Sequence, residues 1–573
     1  MSISTTPTAR KNCAQCNNPY DVTQEDLDLL QKLSPMIARQ RIDLPAPTQC
    51  PDCRQRRRLC MVNEMNLYHR KCDMTGQQII SNVAPSSPFR IYNQADWWGN
   101  KKWDATEFGR TFDFDRPFFD QMEELIRDVP HPSLVNDYLL NENSEFTNYT
   151  GYLKNCYLLF HADYGEDCYY GYGIKKCKNC VDCTRILECE LCHECVDCTR
   201  CYNLRDSRDC ENCHDSFFLN DCIGCKNCIG CTGLRTKEYH VDNTSYTKEA
   251  YEKIFKQSGL DRASGVSALR EHSRVQYLAV PKKALRMSGC TDCLGDYLIN
   301  CKDVVFSYEC SDVEDARYCH QVSLNAKSCM DMYQYGLNAE FVYESCLTGS
   351  TVYGIRFSSS ISNGCSEILY SIYCHSASQH LFGCFGVNGK KYCILNKPYT
   401  KEEYEELMPR IIEHMRTTGE WGEYFPINLS PFGYNETRAQ EFFPMTAESV
   451  RANGWKWLDE KDNASERYLG PQTSLPDAIG DATEAITKNI LVCEATGKPY
   501  KIIPQEWTFY RNQGIPLPRL CPDERHKRRM QLRNPRHIWK RQCQKCQRDI
   551  ETTYAPERPE IVYCEECYLA SVY

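Results

Sequence analysis

Residues 168–201 read CYYGYGIKKCKNCVDCTRILECELCHECVDCTRC, the middle of a run from Cys156 to Cys231 that contains sixteen cysteines. Every gap between consecutive cysteines in that run is a multiple of three. Repeated CxxC gives a step of three trivially, but the longer gaps need not keep phase, so a structural repeat is the better explanation. Twelve of the sixteen also fall into columns 21 residues apart: Cys156, Cys177 and Cys198; Cys168, Cys189, Cys210 and Cys231; Cys180, Cys201 and Cys222; Cys192 and Cys213. Asn or Asp stands just before many of them (Asn155, Asp167, Asn179, Asp182, Asp197, Asp209, Asn212, Asp221, Asn227), as tight corners prefer. Aromatic strand formers fill the gaps. The pattern predicts a β-solenoid with coils of about twenty residues and two main inward corners per coil.

Working outward, a second and thinner cysteine segment runs from Cys301 to Cys393, mostly in steps of nine or ten. KEYHVDNTSYTKEAYEKI at 237–254 matches KKYCILNKPYTKEEYEEL at 390–407, a shift of 153 residues, so both segments end in the same strand and helix. Thr400 with Glu403 makes a capping box at the start of the second helix.

The two ends of the chain are also copies of each other. IDLPAPTQCPDCRQRRR at 42–58 lies over QGIPLPRLCPDERHKRR at 513–529, a shift of 471 residues, and HRKCDMTG at 69–76 lies over KRQCQKCQ at 540–547. Cys13, Cys16, Cys50 and Cys53 form two CxxC pairs, a spacing that closes a tetrahedral zinc site of treble-clef-like type. EDLDLLQKL between the pairs reads as a short helix, and the prolines before Cys53 place it at a helix N-terminus, whose positive end favours a thiolate. Cys543, Cys546, Cys564 and Cys567 are spaced as a zinc ribbon, two knuckles closing over one metal. The corresponding positions of the other copy read Cys493, Thr496, Cys521 and Glu524 for the first set, while Cys72 and Thr75 stand where the ribbon has its first pair. The latter site is expected to be empty.

The expected fold is therefore multidomain, mainly β in the centre as a cysteine-rich β-solenoid of two cassettes. Duplicated small α+β zinc-binding modules flank it, with helical connectors. The segments are an N-terminal zinc module (1–85), an aromatic helical connector (86–145), the cysteine-dense cassette (146–245), a helical insert (246–288), the second cassette (289–398), a helical or irregular connector (399–490) and the C-terminal zinc-ribbon module (491–573). In the aromatic connector Trp97, Trp98 and Trp103 read as packing anchors.

The chain has 573 residues and a net charge of −9, which argues against a protein that coats nucleic acid along its length. Two local basic runs remain as candidate contacts to nucleic acid: Arg54, Arg56, Arg57 and Arg58, and Arg525, Lys527, Arg528, Arg529, Arg533 and Arg536. Thirty-nine cysteines, with no signal-like or membrane-spanning run, point to the cytoplasm, to thiolate metal sites and to buried free thiols rather than to disulfides. In the dense cassette Cys177, Cys180, Cys183, Cys189, Cys192, Cys195, Cys198, Cys201, Cys222, Cys225, Cys228 and Cys231 could hold further zinc or stack as a thiol ladder. Cys177, Cys180 and Cys183 imitate a ferredoxin start, but the following Cys189 and the missing proline set an iron–sulfur cluster aside.

LPAPTQCPDCRQRRR, the runs WWGNKKWD and FGRTFDFDRPFF, GEWGEYFP with SPFGYNE, and the terminal PERPEIVYCEECY resemble large uncharacterised cysteine-rich zinc-ribbon proteins of candidate-phyla-radiation bacteria. The resemblance implies a bacterial cytosolic zinc protein and no substrate. Proteins of that kind often carry a CxxC where this chain has Cys72 and Thr75, and a further pair where it has Asn93 and Asp96.

No P-loop, GxSxG or HExxH is present. The expected function is a non-enzymatic zinc-binding scaffold for a protein or RNA partner, with no membrane partner. The alternative is a metal-storage or thiol-redox protein that uses the solenoid cysteines. An enzyme is the weakest reading, since no acid, base and nucleophile set can be named.

Overall fold

The computed structural model describes residues 7–99, 102–459 and 474–572. The chain divides into two compact units. Unit 1 comprises Met1–Ser133, Leu285–Leu458 and Arg536–Ile538, and unit 2 comprises Leu134–Ala284, Asp459–Pro535 and Trp539–Tyr573. The N-terminal module thus shares a unit with the second cassette, and the C-terminal module with the first. Part of the expected 399–490 connector, residues 460–473, lies outside the described residues.

In unit 2 the strands Thr147–Gly151, Tyr157–Asp163, Tyr169–Lys175, Thr184–Leu187 and Val196–Thr199 pair in chain order, all parallel. Each residue sits beside the residue twelve positions on, as in Leu159 beside Gly171 and Thr184 beside Val196. The same register continues through isolated bridges into Tyr202–Arg205, His214–Phe217, Lys226–Ile229 and Glu238–Val241. Between Tyr149 and Asp242 every third residue has a positive φ, from 47° to 74°. L-residues adopt that conformation at a cost of about 1–2 kcal/mol each, least for Asn and Asp, whose short side chains bond locally. All nine Asn and Asp residues singled out before cysteines occupy these corners. The register also corrects the expected coil of about twenty residues. A step of 21 is twelve plus nine, one rung and three more corners, so the 21-residue columns are a by-product of the three-residue phase.

Between corners the chain makes sides of three residues, and one residue of each three points to the core. The core cluster from Leu153 to Cys231 consists wholly of residues on this phase, among them Leu159, Ile174, Ile186 and Leu204 beside the cysteines. On the outer face the twelve-residue step reappears in side chains. Asn155 Nδ2 donates to Asp167 Oδ1 at 3.2 Å, Arg185 Nε to Asp197 Oδ1 at 2.9 Å and Arg208 Nε to Asn220 Oδ1 at 2.9 Å.

Unit 1 has a second parallel ladder, from Met287–Ser288 through the long strands Lys302–Arg317 and His320–Gly336 to Lys391–Ile394, with register steps of 11 to 13 residues. Each ladder ends in a short antiparallel return followed by a capped helix. Thr247 caps Lys248–Gln257, and Thr400 forms the expected capping box with Glu403 on Lys401–Thr417. Such ends cover backbone groups that would otherwise template pairing with another chain. Trp97 is fully buried, donates from Nε1 to Pro130 O at 2.7 Å and packs its ring 5.2 Å from Trp103 and 5.8 Å from Tyr373, which makes it the anchor the sequence suggested.

His131 in unit 1 lies between the rings of Phe89 and Phe385, with Nε2 2.8 Å from Ile126 O. Burial pushes its pKa from 6.5 down to about 4. A histidine whose folded value is depressed contributes stability that is complete above pH 6.5 and is lost as pH falls from there toward 4. The stability advantage of the parent over His131→Gln should therefore shrink between pH 7 and pH 5 in denaturant titrations. A constant difference would contradict a neutral, buried His131.

Candidate metal centres and their docking helices

Cys13 ends the first strand of a hairpin, Pro7–Asn12 with Pro19–Thr23. Its N–H donates to Asn18 O and Asn17 N–H returns to Cys13 O, both at 2.9 Å, with Asn17 at φ 60°. This knuckle presents Cys13 and Cys16 on one side. The short helix between the two pairs forms as expected over Gln24–Leu33, with a capping box from Thr23 and Asp26. The second pair arrives on the helix Pro51–Leu59, for which Cys50 is the N-cap and Pro51 the first residue, so Cys53 stands in the first turn. Proline costs nothing there, because that N–H has no partner in a helix. Cys16 Sγ lies 3.8 Å from Cys50 Sγ, and Cys50 N–H donates to Cys13 Sγ at 3.2 Å. The sulfurs of Cys13, Cys16, Cys50 and Cys53 all lie within 4.8 Å of one another, a set that can hold a metal ion. Hydrogen bonds from the Cys53 thiol and backbone hold the Cys50 thiol down to about 5.

The second set belongs to unit 2. Cys543 closes the hairpin Trp539–Gln542 with Asp549–Thr552 through the same knuckle, and Gln547 has φ 61°. Cys564 and Cys567 enter the helix Glu565–Val572. Cys546 Sγ is 3.8 Å from Cys564 Sγ, Cys564 N–H donates to Cys543 Sγ at 3.3 Å, and the four sulfurs again fall within 4.8 Å. Burial raises the Cys543 thiol, but the N–H groups of Cys546, Cys564 and Lys545 outweigh it and bring the pKa to about 6.

Two further knuckles keep the fold without the ligands. Cys72 and Cys493 each bond to the residue five positions on, with Gly76 and Gly497 at φ 73° and 71°. Asn93 N–H donates to Cys72 Sγ at 3.3 Å, the contact Cys564 makes with Cys543. Against burial, the hydroxyl of Thr75 and neighbouring backbone N–H groups lower the Cys72 thiol, and Thr496 does the same for Cys493. Threonine thus supplies a proton donor where the complete sites have a second cysteine.

The helix that follows the first set carries the N-terminal basic run, and it points inward. Arg54 Nε meets Asp331 Oδ2 at 2.6 Å, while Arg58 bridges Asp331 at 3.1 Å and Glu344 at 2.8 Å. Arg57 joins Glu344 at 3.2 Å and Glu423 at 2.8 Å. Arg58 has no exposed surface. The copy in unit 2 repeats this on the other ladder. Arg525 pairs with Asp182 and with Glu506 at 3.2 Å, Arg529 with Asp182 at 3.0 Å, and Arg528 with Glu194. Shifted by 471 residues, Arg54, Arg57 and Arg58 become Arg525, Arg528 and Arg529. Their acidic partners are one ladder step apart in each case, Asp331 with Glu344 and Asp182 with Glu194. Burial would raise the Glu194 carboxyl, but Arg528 and Arg529 hold it down to about 2.

Of the residues expected to contact nucleic acid, Arg54, Arg57, Arg58, Arg525 and Arg529 are buried and so do not present their guanidinium groups to a phosphate backbone. The guanidinium groups neutralise acidic residues inside their own units, since a buried charge without a partner is far costlier than a paired one. Arg533 pairs with Asp197 at 2.8 Å, Arg536 pairs with Glu309, and Arg56 lies over the ring of Trp455. Of the ten residues proposed, Lys527 is the most exposed, and it sits 3.7 Å from Glu524.

The twelve dense-cassette cysteines proposed as additional ligands are all buried core residues. Apart from Cys225, which contacts Ile223 O of its own rung, their thiols lie against main-chain carbonyls of their own rung and of the next: Cys180 Sγ against Lys178 O and Cys189 O, Cys183 against Val181 O and Cys192 O, Cys198 against Val196 O and Ser207 O. Among the described residues, the groups of three or more donors within 4.8 Å are the two four-cysteine sets and Asp182 with His193 and Glu194. In the third group the carboxylates already hold arginines, and burial brings the His193 pKa down to about 4. Sequence reasoning missed the acidic partners on the ladders. The available signal was acidic residues at corner positions one ladder step apart. Comparison with family models, with curated proteins and with solved structures gives no match to this chain.

Proposed function

We propose that the chain is a non-enzymatic zinc-binding scaffold for a macromolecular partner, in which a treble-clef-like and a zinc-ribbon module anchor two thiol-lined β-solenoids. The observation that carries this reading is the pair of four-cysteine sets, each with its sulfurs within 4.8 Å. Four thiolates at that spacing suit zinc, which is tetrahedral and sulfur-seeking. In-order parallel pairing at twelve residues, with a left-handed corner every third residue, supports the solenoid reading of the ladder in unit 2. A protein partner is favoured over RNA, because the arginines that suggested RNA are occupied inside their units.

Metal storage by the solenoid cysteines is the second reading, and their spacing weighs against it. Tetrahedral coordination needs several sulfurs around one point, and among the described residues no three of the solenoid cysteines bring their sulfurs within 4.8 Å of one another. Metal analysis of purified protein should give about two zinc per chain, one for each complete four-cysteine set. Six or more would overturn the thiol-ladder reading, and fewer than one would overturn the scaffold.

A further inference from the structure

Of the 39 cysteines, 34 are buried and five are not: Cys16, Cys290, Cys293, Cys546 and Cys567. Three of these five belong to the four-cysteine sets. The other two form a CxxC of their own, SGCTDC at 288–293, and the residues around them, Ser288, Gly289, Thr291 and Asp292, are all exposed. The segment opens the unit 1 ladder, where Met287 and Ser288 pair with Leu298 and Ile299. Gly289 at φ 64° and Asp292 at φ 51° set the two corners that turn both cysteines onto the core phase. A Cβ on Gly289 would meet the side-chain oxygen of Asn300 at 2.5 Å but its backbone only at 3.6 Å, so the positive φ is the stronger reason for glycine there.

Cys290 and Cys293 stand on successive sides of the first rung, separated by Thr291 and Asp292, and the pairing of Thr291 with Lys302 sets Cys301 opposite Cys290 on the next rung. Cys290 Sγ also contacts Ser288 O and Leu298 O at 3.4 Å, and Cys293 Sγ contacts Thr291 O at 3.2 Å. Two adjacent, half-buried thiols at the first rung of a ladder differ from the ladder interior in one respect that matters chemically. A reagent can reach them without opening the fold.

We propose that Cys290 and Cys293 form a redox-active dithiol that exchanges with a small-molecule disulfide such as glutathione disulfide. In the first step the Cys290 thiolate attacks one sulfur of the disulfide, forms a mixed disulfide and expels one glutathione thiolate. The Cys293 thiolate then attacks Cys290 Sγ, closes the Cys290–Cys293 disulfide and expels the second. The protein loses two thiol hydrogens and two electrons, and the disulfide becomes two thiols that take up the two protons. Burial pushes the Cys293 thiol up to about 12, which fits the resolving role, because attack within the mixed disulfide is favoured by proximity even when thiolate is scarce. The site is independent of the two four-cysteine sets.

The test uses the full-length, zinc-loaded protein. Timed alkylation with iodoacetamide, mapped by peptide mass spectrometry, should label Cys290 about 100-fold or more faster than ladder cysteines such as Cys192, which react only when rungs open. After incubation with glutathione disulfide, the peptide containing residues 290–293 should be lighter by two hydrogens, with the zinc content unchanged. Cys293→Ser should accumulate a glutathione adduct on Cys290, and Cys290→Ser should form neither adduct nor disulfide. The proposal is overturned if Cys290 is labelled no faster than Cys192, if the parent protein stops at a stable adduct, or if a third metal copurifies with the protein and protects the pair. Circular dichroism of both variants distinguishes loss of the reaction from loss of the fold.

Discussion

Asp182→Ala should destabilise unit 2 by about 3–5 kcal/mol, the usual cost of removing one partner from a buried ion pair. Asp182 has no exposed surface and faces two guanidinium groups, Arg525 and, at 3.0 Å, Arg529. Glu506 and Glu194 remain close enough to soften the loss, at 3.2 Å from Arg525 and 3.7 Å from Arg529. Without that relief the cost would be larger. Glu344→Ala should do the same to unit 1, where Arg57 and Arg58 lose their shared carboxylate. Lys527→Ala is the control, because an exposed side chain whose ion-pair contact is Glu524 at 3.7 Å changes stability by less than about 0.5 kcal/mol. Urea unfolding followed by circular dichroism measures all three. A Lys527→Ala effect as large as that of Asp182→Ala would mean that the basic helix does not dock as described.

Removal of the metal that the four-cysteine sets can hold should act unequally on the two units. In unit 1 the metal set includes Cys50, the N-cap of the docking helix, and Cys53 within its first turn. In unit 2 the corresponding helix Pro522–Gln531 begins at Cys521 in a set that has Thr496 and Glu524 in place of two thiolates, and the complete four-cysteine set lies elsewhere, at 543–567. Structural zinc in small modules contributes an apparent 10–16 kcal/mol, roughly, near neutral pH, so its loss unfolds what it organises. Chelation, or Cys50→Ser, should therefore abolish hydrogen-exchange protection across residues 51–59, while protection across 522–531 survives chelation. Cys543→Ser should cost the second set its metal ion and expose the 539–572 segment only. Equal loss of protection in both docking helices would contradict this division.

Much of the architecture was legible before any coordinates. The spacing of Cys543, Cys546, Cys564 and Cys567 announced a site because tetrahedral thiolate binding needs those intervals, and the structure brings the four sulfurs together. The three-residue phase and the Asn and Asp residues before cysteines announced corners, and those residues have left-handed backbones. The coil length was misread, since cysteine positions alone cannot separate a period of 12 from one of 21 when both are multiples of three. Hydrogen-bond register decides that, and register is a property of paired strands.

The basic runs were legible as charge but not as role. Arg54, Arg57 and Arg58 look the same in sequence whether they face phosphate, water or a buried carboxylate. Their partners lie far along the chain, as Arg58 and Asp331 show at 273 positions apart. By itself the sequence determined the local chemistry: which cysteines can share a metal, where the corners fall, and that the ends and the cassettes are each duplicated. Only the tertiary structure decided which ladder each module docks against, that the arginines are buried, and that Cys290 and Cys293 stay within reach of solvent. The physical reason is range. Metal ligation and backbone corners are set by neighbours a few residues away, whereas burial and ion pairing depend on what distant segments bring to the same place.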